Sequence, residues 1–486
     1  MTSLLQRIQA FNREAGLLFL LLIAIGTALS LLIPYGWGHD ESVHAYRADA
    51  VSRGSVFVQK IGPWHTAAGT PITVYGDYTS DSLITLATAA ADAKTALSSN
   101  ASCVLSASVT RCPSTASGLI DANKAAQAPI DSEPILTDFW GANSYAAVGY
   151  LPSAVGFGIA RVTNSSAGNA IHLGRLGNVI ATAVLCTTAF LLVAGSRFRW
   201  VIAAIALSPF VLVLCSSLGI DGLLVALSLL LAACYHRLVS KKPSKTVIAL
   251  AIVASIALPL LKLPYILLSL PLLLFRLSRD HRKDLIARSS LAAAIVVPSL
   301  LWNHIMSDAT RTQYLTVNAG TSEPNAGAQL HHILTAPTDI VTAFIRTFAT
   351  ETVPSLDHPL QVVFSTVPQA LVLISIVFIA TATLYACTRG KQIQRLYAAI
   401  FLLVPVAIIG GIALMMYLNY NPVGATTLGG LQGRYLIPLI VFVSFGVTLA
   451  CRITIQRVHS FEKYVYLSGL CLVAIMCPLW IASLIY

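Results

Sequence analysis

The chain reads as an all-α polytopic membrane protein of about eleven transmembrane helices, with its N-terminus in the cytoplasm and a large first extracytoplasmic loop. Three observations predict this. Only 10% of its 486 residues are charged and 56% are hydrophobic, with a mean hydropathy of +0.75, whereas soluble chains carry roughly 25% charge. The apolar residues gather into runs near the 20 or so needed to cross about 30 Å of hydrocarbon. Basic clusters punctuate alternate turns between these runs.

The first run, 16–35, follows Arg7 and Arg13 and leads into Trp37. No small-residue cleavage site follows it, so it reads as a retained anchor and not a cleaved leader. Further spans are predicted over 171–194, 200–216, 220–235, 246–263, 264–275, 285–306, 361–387, 396–417, 435–451 and 464–485. The chain thus divides into an anchor (1–35), a long outer segment (36–170), a transmembrane core (171–306), a second outer segment (307–360) and C-terminal helices (361–486). With the N-terminus inside, about 19 of the 31 Lys and Arg lie inside and about 16 of the 20 Asp and Glu outside. Within the first outer segment, 67–128 is rich in Ala, Ser and Thr and reads as a modest folded insert or a mobile cap. Residues 143–161 are apolar but interrupted at Leu151-Pro152 and Val155-Gly156. Counting them as a span would invert every later turn, so they read as an interfacial or re-entrant helix.

The net charge of +11 comes from scattered membrane-proximal turns, which suits anionic lipid headgroups and not nucleic acid. Asp40 and Glu41 stand just past the first span. They are candidate acid/base groups if other segments fold over them, and a solvated loop start if none do. Asp221, Lys262 and Arg175 fall at predicted outer ends of spans. Asp221 alone fits a helix N-cap and Lys262 alone fits snorkelling. Arg434, in Gly429-Gly430-Leu431-Gln432-Gly433-Arg434-Tyr435, combines glycine N–H groups with a guanidinium, an arrangement suited to a phosphate at the bilayer surface. The span middles are almost free of charge, which argues against ion-coupled transport. Cys103 and Cys112 are expected to form a disulfide in an oxidising compartment. His331-His332 and Asp357-His358 make no compact cluster with other ligands, so no obligatory metal is expected, although adjacent carboxylates leave room for a divalent ion.

Six elements in order, Asp40-Glu41-x-x-His44-x-x-Arg47-Ala48, Asn143-x-Tyr145-x-x-x-x-Tyr150-Leu151-Pro152, Gly174-Arg175-Leu176-x-Asn178, Asp221-Gly222, Lys262-x-Pro264-Tyr265 and Gln432-Gly433-Arg434-Tyr435-x-x-Pro438, resemble the membrane-protein family called domain of unknown function 2142. That family in turn resembles the GT-C glycosyltransferases, which use polyprenyl-phosphate sugars outside the cytoplasmic membrane. The resemblance implies a GT-C-like fold and an inverting transfer of sugar to a cell-envelope glycan or glycolipid. It implies Asp40 as general base, with Glu41 as the alternative base or an orienting group. Arg434, Lys262 and Arg175 are implied as phosphate ligands, and His44, Arg47, Asn143, Tyr145, Tyr150, Asp221 and Tyr435 as substrate-positioning residues. The implied partners are the lipid-phosphate donor, the acceptor and membrane lipids, at an inner-membrane site facing the extracytoplasmic side. A lipid-linked glycan flippase or exporter, or a non-catalytic assembly protein, are the competing readings.

Overall fold

The computed structural model describes residues 2–451 apart from 66–68, 70, 100–119, 131–132, 241–243, 276–279, 318–323, 353–368 and 388–393, together with residue 469. Cys103, Cys112, Asp357 and His358 lie outside the described residues, as does nearly all of the expected last span, 464–485.

Helix α1 (Thr2–Leu32) delivers the chain to a small unit made of α2 (Glu41–Ser52), strands β1 (Gln59–His65) and β2 (Pro71–Ser80), α3 (Asp81–Ser99) and β3 (Pro134–Asp138). The strands form one antiparallel sheet in the order β1-β2-β3. The all-α expectation is therefore corrected. Ile72, Thr73, Val74, Tyr75, Tyr78 and Thr79 give β2 the β-branched and aromatic content that favours a pleated, half-buried strand. Residues 71–99, part of the expected insert 67–128, pack into this unit. β2 is the central strand, and α3 buries Leu83, Leu86, Ala90 and Ala93 at helical spacing. Asp49 of α2 locks the unit together: it accepts from Ser80 N (2.9 Å) and Thr79 Oγ1 (3.2 Å) and pairs with Arg53 and Arg161.

Helix α4 (Leu151–Val162) falls in the segment expected to be interfacial or re-entrant. Its 12 residues rise about 18 Å, too little to cross the hydrocarbon. Pro152 sits in its first turn, where the missing N–H costs nothing. Gly156 does not interrupt the helix; it lets the backbone touch that of α5 (Ala167–Leu192). A Cβ there would overlap the Leu173 carbonyl, and one at Gly177 would overlap that of Pro152. Small residues at such crossings are how apolar helices approach closely without a hydrophobic drive.

The stretch 200–216 is broken at Ser208-Pro209 into α6 (Arg199–Ala206) and α7 (Pro209–Cys215). Helix α8 (Asp221–Ser240) is the most enclosed of the long apolar helices, 78% of its apolar window lying inside the protein. Helix α9 (Lys245–Leu261), capped by Ser244, stops at Lys262 and turns back as a 3-10 helix, Leu263–Leu274. At about 2.0 Å per residue those 12 residues cover about 24 Å, close to the roughly 26 Å of α9. The return therefore retraces α9, and Ser269 Oγ donates to Ser255 O (2.9 Å).

Beyond it come α10 (His281–Ile305), α11 (Ser307–Val317), α12 (Ala326–Thr335), α13 (Pro337–Thr347), α14 (Gln369–Cys387), α15 (Arg395–Asn419) and α16 (Ile437–Ala450). The protein is thus mostly helical. Among the described residues, five helices (α1, α5, α8, α10 and α15) hold stretches long and apolar enough to cross a membrane, with shorter apolar helices beside them.

The two ends of the bundle differ. One gathers the C-termini of α1 and α9 with the N-termini of α8 and α16, shown by ion pairs linking Asp40, Asp221, Lys262 and Arg434. The other collects basic side chains: Arg199 pairs with Glu14 (3.3 Å) and Arg197 lies over the Tyr385 ring (4.2 Å).

Candidate functional site

Asp40 occupies the N-cap position of α2 in the left-handed region, φ 50° and ψ 26°, and its side chain makes no cap hydrogen bond. Aspartate is among the best N-caps when its oxygen accepts from the first turn, and a non-glycine residue at positive φ carries strain of order 1 kcal/mol. The backbone here accepts that strain and gives up the cap, which turns the carboxylate into a cavity. Oδ2 meets His39 Nε2 at 3.0 Å and Arg434 Nη2 at 3.3 Å.

Arg434 comes from the turn before α16 and reaches two carboxylates, Asp40 and, through Nη1 at 3.3 Å, Asp221. Asp221, the first residue of α8, also accepts from Lys262 Nζ at 2.6 Å. Lys262 does not snorkel outward. It lies over the faces of Tyr435 (4.7 Å) and Tyr145 (5.7 Å), a cation–π arrangement that suits an ammonium withdrawn from bulk water. Tyr265 Oη donates to Tyr435 O (2.9 Å), tying the start of the 3-10 helix to the Arg434 turn.

These groups form the polar head of a cavity of about 340 Å³. One wall is apolar, with Leu260, Leu261 and Leu263 facing Ile412, Met415 and Met416 of α15. Another part of the lining is aromatic and polar, with Trp140, Tyr145, Trp302 and Asn303. Among the described residues, two buried polar atoms on the lining have no hydrogen-bond partner, the Arg434 Nε donor and the Gln432 Oε1 acceptor. Buried groups of this kind are normally satisfied, so a ligand that accepts at one and donates at the other fits the cavity. Gly430, at φ +85°, shapes this wall in a backbone that favours glycine. The neighbouring Gly429 N–H is already used, donating to Asn421 Oδ1 (2.7 Å), so the expected nest for an anion rests on Arg434 and not on that amide.

Several expected site residues stand elsewhere. Glu41 and Arg175 are corrected from base and phosphate ligand to a closed buried pair. Arg175 Nε and Nη2 donate to Glu41 Oε1 (2.7 Å) and Oε2 (2.6 Å), and Gly38 N and Leu218 N complete the carboxylate. The remaining guanidinium donors go to Ser30 O, Ile33 O and Pro34 O at the end of α1. Burial pushes the Glu41 carboxyl up, yet Arg175 and the two amides together hold it below its ordinary range. Arg47 is buried against Val56 O (2.6 Å) and Asn143 against Tyr75 O (2.9 Å), both as supports of the small unit.

His44 and Tyr150 lie one layer behind the cavity. His44 Nδ1 and Tyr150 Oη are 2.7 Å apart, and the imidazole stacks on Tyr145 at 6.0 Å. Burial pushes the His44 imidazolium down more than Asp40 and Asp221 raise it, so the ring is neutral near pH 7 and supports Tyr145 from behind. Of the expected residues, the structure brings together Asp40, Asp221, Lys262, Arg434, Tyr145 and Tyr435. Trp140, Trp302 and Gln432 were missed as cavity residues. Gln432 was legible as part of the late glycine–arginine element, whereas the tryptophans stood in no motif. His331 and His332 share α12 but diverge, His332 pairing with Asp339 (3.2 Å) while His331 is exposed. Among the described residues no group of three or more His, Cys, Asp or Glu is placed to hold a metal.

The loop that holds the cavity rim carries a titration. Asp138 ends β3, and burial pushes its carboxyl up to about 6, against the hydrogen bond from Asn143 Nδ2. The folded chain binds this proton more tightly than the unfolded one. The contribution to stability is therefore full below the ordinary value of 3.8 and lost as pH rises through about 6. Thermal unfolding in detergent should show this decline between about pH 4 and pH 7, and Asp138→Asn should flatten it. An unchanged profile in the variant would assign the decline to another group.

No curated protein and no solved structure matches the chain. Residues 21–443 match the model of a family described as predicted membrane protein, DUF2142. That range takes in Asp40, the small sheet unit, the α9 turn and Arg434, so the whole cavity lies within it, and the chain belongs to the DUF2142 family of predicted membrane proteins.

Proposed function

We propose that the protein is a membrane glycosyltransferase of the GT-C type, moving a sugar from a polyprenyl-phosphate donor to a cell-envelope glycan or glycolipid on the extracytoplasmic face of the cytoplasmic membrane. The observation that carries this is one cavity whose head holds two cations, Arg434 and Lys262, against the carboxylates of Asp40 and Asp221, and whose lining includes an apolar part from Leu260, Leu261, Leu263 and α15. A lipid phosphate has that shape and charge. Its isoprene units run along Leu260, Leu263, Ile412 and Met415, and its phosphate meets Arg434 and Lys262. On this reading about eleven spans, with the basic end inside, place the Asp40 end outside.

The reaction is a displacement. The acceptor hydroxyl oxygen bonds to the anomeric carbon as the bond from that carbon to the phosphate oxygen breaks. The bonding pair leaves with the polyprenyl phosphate, and the acceptor proton passes to Asp40. A single displacement inverts the anomeric centre. In the free protein Arg434 is held against Asp40 at 3.3 Å. An arriving phosphate competes for that guanidinium, takes the unpartnered Nε donor, and frees Asp40 to accept a proton when the donor is in place. Lys262 and Arg434 then hold the charge that develops on the leaving phosphate.

Arg434→Gln tests the slot apart from chemistry. A short-chain polyprenyl phosphate should raise the thermal stability of the parent protein in detergent, and the variant should need roughly 10- to 100-fold more lipid for the same rise, the weight of one charge-assisted contact. Equal stabilisation of both proteins would remove Arg434 from phosphate binding.

A further inference from the structure

The segment after α10 carries two short amphipathic helices that the cavity chemistry does not use. α12 and α13 have 10 and 11 residues, rising about 15 and 16 Å, too little to span. Each shows an apolar pair at i,i+4 spacing to the outside: Leu330 (49% exposed) and Leu334 (75%) on α12, Val341 (55%) and Ile345 (61%) on α13. His331, Thr335, Thr338, Thr342 and Arg346 flank these stripes. The opposite face is turned into the protein. Fully buried Gln329 and Thr347 accept hydrogen bonds from Gly424 N (2.8 Å) and Leu428 N (2.8 Å), in the loop that runs on to Arg434. The His332–Asp339 pair braces the two helices against each other.

Four large aliphatic side chains held open to water form the sort of patch that soluble surfaces rarely show. A lipid surface is the occupant that the surroundings favour. α12 packs on α15, a membrane-crossing candidate whose Leu403, Val406 and Leu414 are themselves exposed. The loop held by Gln329 and Thr347 follows directly from the Asn419 end of α15. The apolar stripe therefore lies beside a membrane-crossing candidate that is itself exposed along an aliphatic face.

We infer that α12 and α13 form a hairpin lying in the bilayer interface on the Asp40 side, its aliphatic stripe among the acyl chains, and that from there it clamps the loop presenting Arg434. The inference stands whether or not the cavity transfers sugar. The lipid itself then helps fix the distance of a cavity cation from the membrane surface.

An environment-sensitive fluorescent amino acid introduced by nonsense suppression at Leu334, Val341 or, as control, Thr338 tests the placement. The full chain is reconstituted in phosphatidylethanolamine–phosphatidylglycerol vesicles. Doxyl-labelled lipid should quench positions 334 and 341 several-fold more than 338, and aqueous iodide should show the reverse order. Iodide quenching at 334 and 341 equal to that at 338 would put the hairpin in water. Protection from both quenchers would mean that a second copy or another protein covers the stripe. Either result overturns the lipid assignment. The clamp is read separately by amide exchange: Gln329→Ala should speed exchange at Gly424, and Thr347→Val at Leu428, and unchanged rates would remove it.

Discussion

Asp40→Asn is expected to reduce sugar transfer by roughly 10²- to 10⁴-fold, the usual weight of a positioned general base, while the protein stays folded. Asparagine matches aspartate in size and tolerates the left-handed backbone at this position. Its amide oxygen still accepts from Arg434, and the carboxylate it replaces is 35% exposed at the side chain and pairs, among the described residues, with Arg434 at 3.3 Å and His39 at 3.0 Å. The stability change should stay within about 1 kcal/mol. Donor binding should survive or tighten, because Arg434 no longer faces a competing charge. Loss of transfer with binding retained separates a base from a docking group. An equal loss of both would show that Asp40 shapes the cavity without taking a proton.

The buried pair behaves in the opposite manner. Arg175→Met is expected to cost roughly 3–5 kcal/mol, because it leaves Glu41 charged and unpaired in a dry site. Domain stabilities are only about 5–15 kcal/mol, so yield and detergent stability should fall sharply. Glu41→Gln should do less harm. It keeps an acceptor for Gly38 N, Leu218 N or Arg175, and it leaves the arginine bound to Ser30, Ile33 and Pro34 carbonyls at the end of α1. Because Glu41 is held below its ordinary range, the pair's contribution is present above that range and lost as acid protonates it. Size-exclusion profiles and thermal unfolding check the order of the two variants. A stable, monodisperse Arg175→Met protein would show that the pair is not what holds α1, α2 and α5 together.

Adjacent carboxylates Asp40 and Glu41 thus take different roles, and the sequence could not divide them. Their charge is legible, but the partner that fixes each role lies far along the chain: Arg434 for Asp40, and Arg175, 134 positions away, for Glu41. Asp221, Lys262 and Arg434 were legible as a set because each stands where an apolar run begins or ends, and antiparallel packing brings alternate ends together. The long apolar helices follow directly from hydropathy. The small sheet was obscured by the Ala, Ser and Thr content around it, although β2 alone reads as a strand once isolated from its flanks. Asp49 and Arg161 were passed over for a different reason. Each belongs to a local pattern that allows exposure, and only the folding of α4 over α2 shows that they meet. The hairpin α12–α13 lies in the segment 307–360, which reads from sequence as an outer loop because helices of 10 and 11 residues fall below any spanning criterion.

The central claim is that the amphiphilic cavity transfers a sugar from a lipid phosphate. The most direct test reconstitutes the full chain in vesicles with a panel of radiolabelled polyprenyl-phosphate sugars and cell-envelope glycan acceptors, and follows labelled product and released polyprenyl phosphate. The expected result is product formed in step with lipid phosphate from at least one donor, with inverted anomeric configuration, and a rate in the Asp40→Asn protein lower by roughly 10²- to 10⁴-fold. Movement of intact lipid-linked sugar across the vesicle membrane with no bond cleaved, undiminished by Asp40→Asn, would contradict the claim and make the cavity a transport path.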